Sequence, residues 1–576
     1  MMPQRFLLAV PRELTEFERI ERVSRASEIA VDHPALWCDS ATRIVDLGRR
    51  GVVLGPVFQR GASAPSSDFD CDLRPEAGVA EFATHLVREY WGAYLAILID
   101  SACRGLSVLS DPSGLLPVYR AETERHVFLT SDPLLFAAAG MAPPSVSWSG
   151  LRAHLLRQDL RSSATCLAGV RELQPGALVP IAEGADDGVP QWRPDDFMPR
   201  GPAPGFEDAA TALRSCAIET ISAWASLAGP VAVAASGGVD SSLICAALAE
   251  GGHAFDCVTL ATTDPSCDER AFVRALTDHL GVRCIAATYD AARVDPLRPS
   301  SAGLARPSRK TFMQALDAAL DDGRKELGAA AVFDGNGGDS LFCFVHSSAP
   351  VLDCLAAAGL RPALTAFIDM CGVTGCDVVA MAGAVMRRAR RGGSPSAWLP
   401  DLRLLSTALP ADRALDPLMP WLDAHVGPHR GKRDHLSLLM HAQNHVHSLG
   451  GIAVPRLSPL LSQPMVELCI SLPTWLWCSG GINRAPARAA FADVLPPAIR
   501  RRTSKAGPDS FIRSLLAVHQ MPIRDLLLGG RLADHGLIDR EAVAAALETD
   551  VLSSDAIVYR LLDLVEAETW ARSWGG

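Results

Sequence analysis

The chain has 576 residues, room for about two to four domains, and its 48% hydrophobic and 21% charged content suits a globular protein with a sizeable core. A net charge of −11 excludes bulk attraction to nucleic acid, and no apolar run approaches a bilayer span (Val378 to Met386 is far too short), so no nucleic-acid or membrane partner is expected. The 15 cysteines are odd in number, scattered and never spaced Cys-x-x-Cys, and the apolar run at the N-terminus is too short for a signal peptide; reduced thiols in a cytoplasmic location are therefore expected.

Residues 1 to 195 read as β-rich with a few helices. Tyr94 to Asp100 and Leu106 to Ser110 are strand-like, Asp111-Pro-Ser-Gly114 is turn chemistry, and Leu116 to Tyr119 and Val127 to Thr130 are further strands. Asp132 to Ala139 reads as a helix. The stretch 183–206 is rich in Pro, Gly and Asp and reads as the connection between two halves, followed by a helix over Glu207 to Leu227. This divides the chain into a first domain at 1–195, a connection with its leading helix at 196–228, and a second domain at 229–576.

The second domain opens on the stretch that organises the chain. Val231 to Ala235 is a short apolar strand, Ser236-Gly237-Gly238 a glycine turn, and a helix runs from Ser241 to Glu250 before Gly251-Gly252. Such a turn lets backbone N–H groups crowd a phosphate at a helix N-terminus, and Ser236, Ser241 and Ser242 can add hydroxyl donors. Asp240 makes sense there beside a Mg²⁺ ion. The lysine of a Walker loop is missing, so this is a different phosphate cradle. Strands at Phe255 to Ala261 and Val282 to Thr288, with a helix over Cys267 to Leu280 between them, give a βαβαβ run. That run predicts a parallel sheet with its ligand at the carboxyl ends of the strands. Another strand, Ala330 to Phe333, runs into Asp334-Gly-Asn-Gly-Gly-Asp-Ser, a second glycine loop. Its Asp339 could bind Mg²⁺ opposite Asp240.

Ser236-Gly-Gly-Val-Asp-Ser-Ser242 resembles the pyrophosphate loop of ATP-pyrophosphatases, which cleave ATP between the α and β phosphates and form acyl-adenylates. With the second loop, and with Trp91-Gly92, Asp111-Pro-Ser-Gly114 and Ser131-Asp132 in order, the chain resembles the asparagine synthetase family over nearly all its length. The resemblance implies an α+β N-terminal domain of the Ntn glutaminase type and an α/β C-terminal domain with a parallel, HUP-like sheet. It places ATP and Mg²⁺ on Ser236, Gly237, Gly238, Val239, Asp240, Ser241, Ser242, Gly335, Gly337, Gly338 and Asp339, with Leu260-Ala261 near the adenine. Asp268-Glu269 resembles the family's acidic pair, although carboxylates are favoured at any helix N-terminus. In the Arg500 to Gly507 stretch, Lys505 matches by order the lysine that stabilises charge as the amine attacks the adenylate.

The departures are as informative. The family's glutaminase opens with a catalytic cysteine after the initiator methionine, where this chain has Met2, so a degenerate domain that does not hydrolyse glutamine is expected. Ser340 stands where an acid usually follows the aspartate, and Ala453 and Ser458-Pro459 replace charges that hold the amino-acid substrate. Phe342-Cys343-Phe344 and Ser347-Ser-Ala-Pro350 are similar to lasso peptide macrolactam cyclases. That likeness implies a precursor peptide as substrate, with a leader protease and a leader-binding protein as possible partners. It implies adenylation of an Asp or Glu side chain and ring closure by the peptide's N-terminal amine. Asparagine synthesis, β-lactam-type closure of a small molecule and a non-catalytic peptide-binding scaffold remain alternatives.

Residues 351 to 435 read as helical, with a basic cluster at Arg387 to Arg391 that is either a solvated helix end or a contact for an acidic peptide. His435, His441, His445 and His447 are dense; without a completing carboxylate or cysteine they favour packing or peptide contact over a metal. Asn483-Arg484 and Arg488 lie at a helix start, and the chain beyond about 515 reads as a helical tail.

Overall fold

A computed structural model describes residues 4–12, 20–25, 34–67, 78–100, 105–181, 188–199, 201–261, 264, 268–390, 399–407, 418–419, 421, 429–447, 455–503, 507–548 and 555–575, without the side chains of 444–447. The first half is built on two six-stranded sheets. One runs from Val170–Glu172 through Tyr119–Glu122, His126–Thr130, Phe6–Pro11 and Ala35–Cys38 to Glu21–Arg22; the other from Val189–Pro190 through Ala177–Pro180, Leu106–Ser110, Leu95–Ile99 and Gly51–Leu54 to Ile44–Asp46. Period-2 alternation sorts the two faces of the central strand. Phe6, Leu8 and Val10 join the core that contains Leu95, Ile97 and Leu109 of the other sheet, while Leu7 and Ala9 join Leu151 and Leu155 of the helix Trp148–Leu156.

The strand expected at Leu116 to Tyr119 begins instead at Tyr119 and runs to Glu122. The turn persists because the Asp111 carboxylate accepts from the N–H groups of Leu115 and Leu116. The helix expected from Asp132 shrinks to Leu135–Ala138, since the Asp132 side chain is spent on the N–H of Leu134 and on Arg5. The long helix Phe206–Ala228 follows the connection as expected.

The second half carries a five-stranded parallel sheet. Its elements are β1 (Val231–Ala234), α1 (Val239–Glu250), β2 (Phe255–Ala261), α2 (Arg270–Leu280), β3 (Cys284–Thr288), α3 (Met313–Leu327), β4 (Ala331–Asp334) and β5 (Arg456–Leu457). Strand order is β3-β2-β1-β4-β5, with Val231 in register with both Phe255 and Ala331. The all-apolar Val-Ala-Val of β1 is what a central parallel strand covered on both faces requires. Beyond it, helices Ala349–Ala358, Leu360–Thr374 and Val378–Arg390 follow the expected helical run, but 399–407 is irregular, with Leu405 bridged to Ile538. Among the described residues no single helix is long and apolar enough to cross a membrane; Leu360–Thr374 and Val378–Arg390 reach that length only as a pair bent by 111°.

The two halves share one core. Trp224 of the connecting helix meets Trp91 at 5.8 Å and Phe58 at 5.0 Å. Buried polar groups lock the seam: Trp192 Nε1 donates to Glu467 at 2.9 Å, and Gln463 Nε2 to the Val87 carbonyl at 2.8 Å.

Candidate functional site

The carboxyl ends of β1 and β4 are neighbours, so the loops leaving them meet. Gly237 has φ +62, and a Cβ there would lie 2.5 Å from Phe272 Cβ, so this turn accepts only glycine without rearrangement. Ser236 and Ser241 build the turn: Ser241 Oγ accepts from Ser236 N at 3.2 Å, and Ser236 Oγ accepts from Gly238 N at 3.3 Å. In both bonds the hydroxyl oxygen accepts, so the O–H groups of these two serines stay available as donors, apart from one that can bridge the 3.3 Å between them. Ser242 is wholly buried, and its Oγ has no hydrogen-bond partner among the described residues. Gly238 caps α1 with no side chain across the first-turn N–H groups, which begin at Val239 and Asp240, so this end of the helix suits an anion.

The second loop packs directly onto the first. Gly335 and Gly337 turn the chain, and Gly338 N donates back to the Gly335 carbonyl at 3.2 Å. A Cβ on Gly338 would fall 2.4 Å from Asp240 Cγ. Asp240 and Asp339 are brought together as expected, and one guanidinium lies between them. Arg484 Nη1 donates to Asp240 at 2.9 and 3.1 Å and to Asp339 at 2.5 Å. Two carboxylates converging on one point are a hard-oxygen donor set that fits Mg²⁺ shared with phosphates. A cation there would meet the charge Arg484 already supplies. Among the described residues no group of three His, Cys, Asp or Glu side chains could hold a metal ion.

Arg484 adopts φ +57 at the start of Ala485–Ala490, and its guanidinium lies over the Phe344 ring at 5.1 Å. Phe344 is carried there by a left-handed turn at Cys343, φ +48, while Phe342 packs against Trp477 at 5.7 Å. Below the first loop, Arg502 Nη1 donates to the Ser236 carbonyl at 2.8 Å, pairs with Glu269 and covers the Phe272 ring at 4.0 Å. The acidic pair thus divides. Glu269 braces the loop through Arg502, whereas half-buried Asp268 turns to Arg270, whose hydrogen bonds pull its carboxyl down to about 2.

Asp334, at the end of β4, is anchored by Arg456 and by Ser458 Oγ at 2.6 Å. Burial works against the Arg456 charge, but Asp334 and Asp317 outweigh it and hold its pKa above the ordinary value. Leu260 is half-buried near the end of β2, beside Val258 and Leu320. Lys505 and Met2 lie outside the described residues.

Arg484, Arg502 and Arg456 are the residues that sequence reasoning left without a role at this site. Arg484 stands just before a helix, Arg456 in the edge strand β5, and Arg502 in an arginine-rich run after a helix, so no shared local pattern singled them out.

The histidines do not form a site among the described residues. His435 is buried, donates from Nε2 to the Leu341 carbonyl at 2.9 Å, and is pushed down to about 3 by burial and by Lys432, so it is a neutral core group. His441 pairs with Asp159 at 3.2 Å; the side chains of His445 and His447 are outside the described set. In the basic cluster, Arg388 is tied to Asp434 at 2.5 Å, while Arg387 is exposed.

The family model described as asparagine synthase matches residues 225–394 and 453–572, together half of the chain and including both glycine loops. No curated protein matches. Among solved structures, glutamine phosphoribosylpyrophosphate amidotransferase from B. subtilis, complexed with ADP and GMP, aligns at 10% identity and a TM-score of 0.21, over 58% of this chain and 85% of that one. A structure described as the allosteric regulatory enzyme of purine biosynthesis aligns at 12% identity and a TM-score of 0.16, over 51% of this chain and 71% of that one. At these scores neither defines the fold of this chain.

Proposed function

The chain belongs to the asparagine synthase family, and from that premise we propose that it closes a macrolactam on a precursor peptide, as lasso peptide cyclases do. The family membership makes it an ATP-dependent amide ligase of the asparagine synthetase kind. In the proposed reaction an Asp or Glu side-chain carboxylate attacks the α-phosphate of ATP and pyrophosphate leaves. The peptide's N-terminal amine then displaces AMP. The first-turn N–H groups of α1 and the turn at Ser236 to Gly238 receive the departing phosphates. Asp240 and Asp339 would hold Mg²⁺, which neutralises phosphate charge, and Arg484 holds both carboxylates in place. Lys505 is proposed as the cation beside the carbonyl oxygen during amine attack, a role that can be worth a few kcal/mol.

The observation that carries the peptide reading is the fate of Ser458. In place of a charge that could grasp an amino-acid head group, Ser458 donates to Asp334 and is buried inside the loop's own support. Met2 stands where a glutaminase of this type would carry its nucleophilic cysteine, and this speaks against ammonia supply from glutamine. On this reading 1–195 is a degenerate glutaminase-type domain and 229–576 the adenylating domain. The enzyme's task is largely geometric, since holding amine and adenylate in contact can remove up to about 7–11 kcal/mol of barrier.

Pyrophosphate release from ATP, measured with candidate precursor peptides and with aspartate plus ammonia, tests the reading. Peptide-dependent release with loss of one water from the peptide mass is expected. Turnover of aspartate and ammonia without any peptide-dependent release would replace it with asparagine synthesis.

A further inference from the structure

The helices Leu360–Thr374 and Val378–Arg390 are apolar on the side that packs and also on the side that does not. Inward, Ala363, Ala366, Met370 and Met381 pack in small clusters that all include Trp475. Outward, Leu360, Leu364 and Ile368 stand four residues apart along one stripe, between 56% and 68% exposed. Val378, Val379 and Met386 continue the exposed apolar surface on the second helix, and Val379, at 82%, is the most exposed large apolar side chain among the described residues. Seven of the fifteen such exposed side chains lie between Leu355 and Met386, so this is a patch and not the ordinary scatter of single residues. A helix that is apolar all round is normally covered on every side, by protein or by lipid.

The charges favour lipid. Between Arg361 and Arg387 the only carboxylates are Asp369 and Asp377. Asp369 accepts from the backbone N–H groups of Gly480 and Gly481 and so faces the protein, while Asp377 caps the second helix, accepting from Ala380 N at 2.8 Å. Arg361 at one end of the apolar stretch, and Arg387 and Arg390 at the other, are exposed and form no ion pair among the described residues; Arg388 turns away to Asp434. Apolar side chains flanked by unpaired cations, on a chain whose net charge is −11, complement an apolar layer topped by anionic head groups. Arginine stems can lie along such a layer while their guanidinium groups stay at the phosphates.

The shape agrees. The two helices meet at 111°, so together they do not cross a bilayer. Val378 and Val379 follow the bend directly and project from it, where a protein partner would need a groove to enclose them and a lipid interface need only admit them. We propose that this helix pair is a docking surface for an anionic membrane, on which the chain lies without spanning it. The expectation of no membrane partner rested on the lack of a spanning segment, which a surface contact does not require. The docking surface is independent of the ligase reading above.

Flotation of the full chain with vesicles of equal parts phosphatidylcholine and phosphatidylglycerol tests the proposal. The wild type should float with them, bind vesicles of phosphatidylcholine alone about tenfold more weakly, and lose the difference as salt is raised. Leu364→Glu/Val379→Glu places two carboxylates on the exposed face, and its partitioning should fall by about tenfold or more. Arg387→Gln/Arg390→Gln should remove most of the preference for anionic vesicles. Val518→Glu/Met521→Glu alters a comparably exposed apolar pair elsewhere and should float as the wild type does.

Absence of wild-type flotation overturns the docking surface. So does flotation that survives Leu364→Glu/Val379→Glu, or that is lost equally in Val518→Glu/Met521→Glu. Should Leu364→Glu/Val379→Glu fail to fold, Arg387→Gln/Arg390→Gln decides alone: an undiminished preference for anionic vesicles overturns it. A wild-type chain that does not float but sediments as a dimer, and returns to a monomer in Leu364→Glu/Val379→Glu, assigns the face to a second copy and also overturns it.

Discussion

Gly338→Ala inserts one methyl group at the point where the two glycine loops touch. The new Cβ would lie 2.4 Å from Asp240 Cγ and 2.6 Å from Asp240 Cβ, whereas ordinary contact begins at 3.4 Å. About 1 Å of separation must therefore be found. It cannot come from a swinging side-chain tip, because the contact is with the root of Asp240, which sits in the first turn of the almost wholly buried α1. The loops themselves must part, moving Asp240 away from Asp339 and Arg484. Overpacking of this kind costs about 1–3 kcal/mol of stability, small enough for a chain of this size to remain folded. A displacement of about 1 Å at the phosphate loops costs on the order of 100-fold in rate. Substrate-dependent ATP–pyrophosphate exchange, read beside urea unfolding, separates the two effects. A variant whose kcat/KM stays within about twofold of wild type would refute the claim that loop contact positions the reacting groups.

Three further predictions follow from the same geometry. Arg484→Met leaves two adjoining carboxylates without their shared cation and should cost about 3 kcal/mol; Mg²⁺ should restore more stability to this variant than to the wild type, and an equal Mg²⁺ response in both would exclude the acid pair as a metal site. Burial keeps His435 neutral in the fold, with its pKa near 3 against 6.5 for a free imidazole, so the unfolded chain binds the extra proton between those values and stability falls with acidification. The wild-type stability relative to His435→Gln should be level above pH 7 and decline by about 1.4 kcal/mol per pH unit below 6.5, measured by urea unfolding; a level difference down to pH 5 contradicts the neutral core assignment. Lys505→Ala should release pyrophosphate at the wild-type rate while amide formation slows about 100-fold or more; product formation at the wild-type rate removes the lysine from that step.

Backbone and burial periodicity were legible in the linear chain wherever a few adjacent residues determine both. The all-apolar Val231 to Val233 read as a buried strand and Ser236-Gly-Gly as a tight turn from adjacent residues alone; that Phe272 leaves no room for a side chain at Gly237 was decided by the packing of the next helix. The pairing of Asp240 with Asp339 was also readable, since both follow strand ends that a parallel sheet must set side by side. The cations at the site were not. Arg484 reaches Asp240 across 244 residues, and Arg502 reaches Ser236 across 266. Local spacing says only that an arginine precedes a helix; which carboxylate it meets depends on how whole layers pack. The same holds for Ser458, read as a missing substrate contact and found as the support of Asp334, and for Arg161 and Arg306, which belong to different halves yet share Glu172. The chain determined the strand–turn–helix cradle by itself because its constraints are steric and local. Tertiary structure alone decided the charge balance around that cradle, because ion pairs form between whatever side chains the packed core brings within a few ångströms.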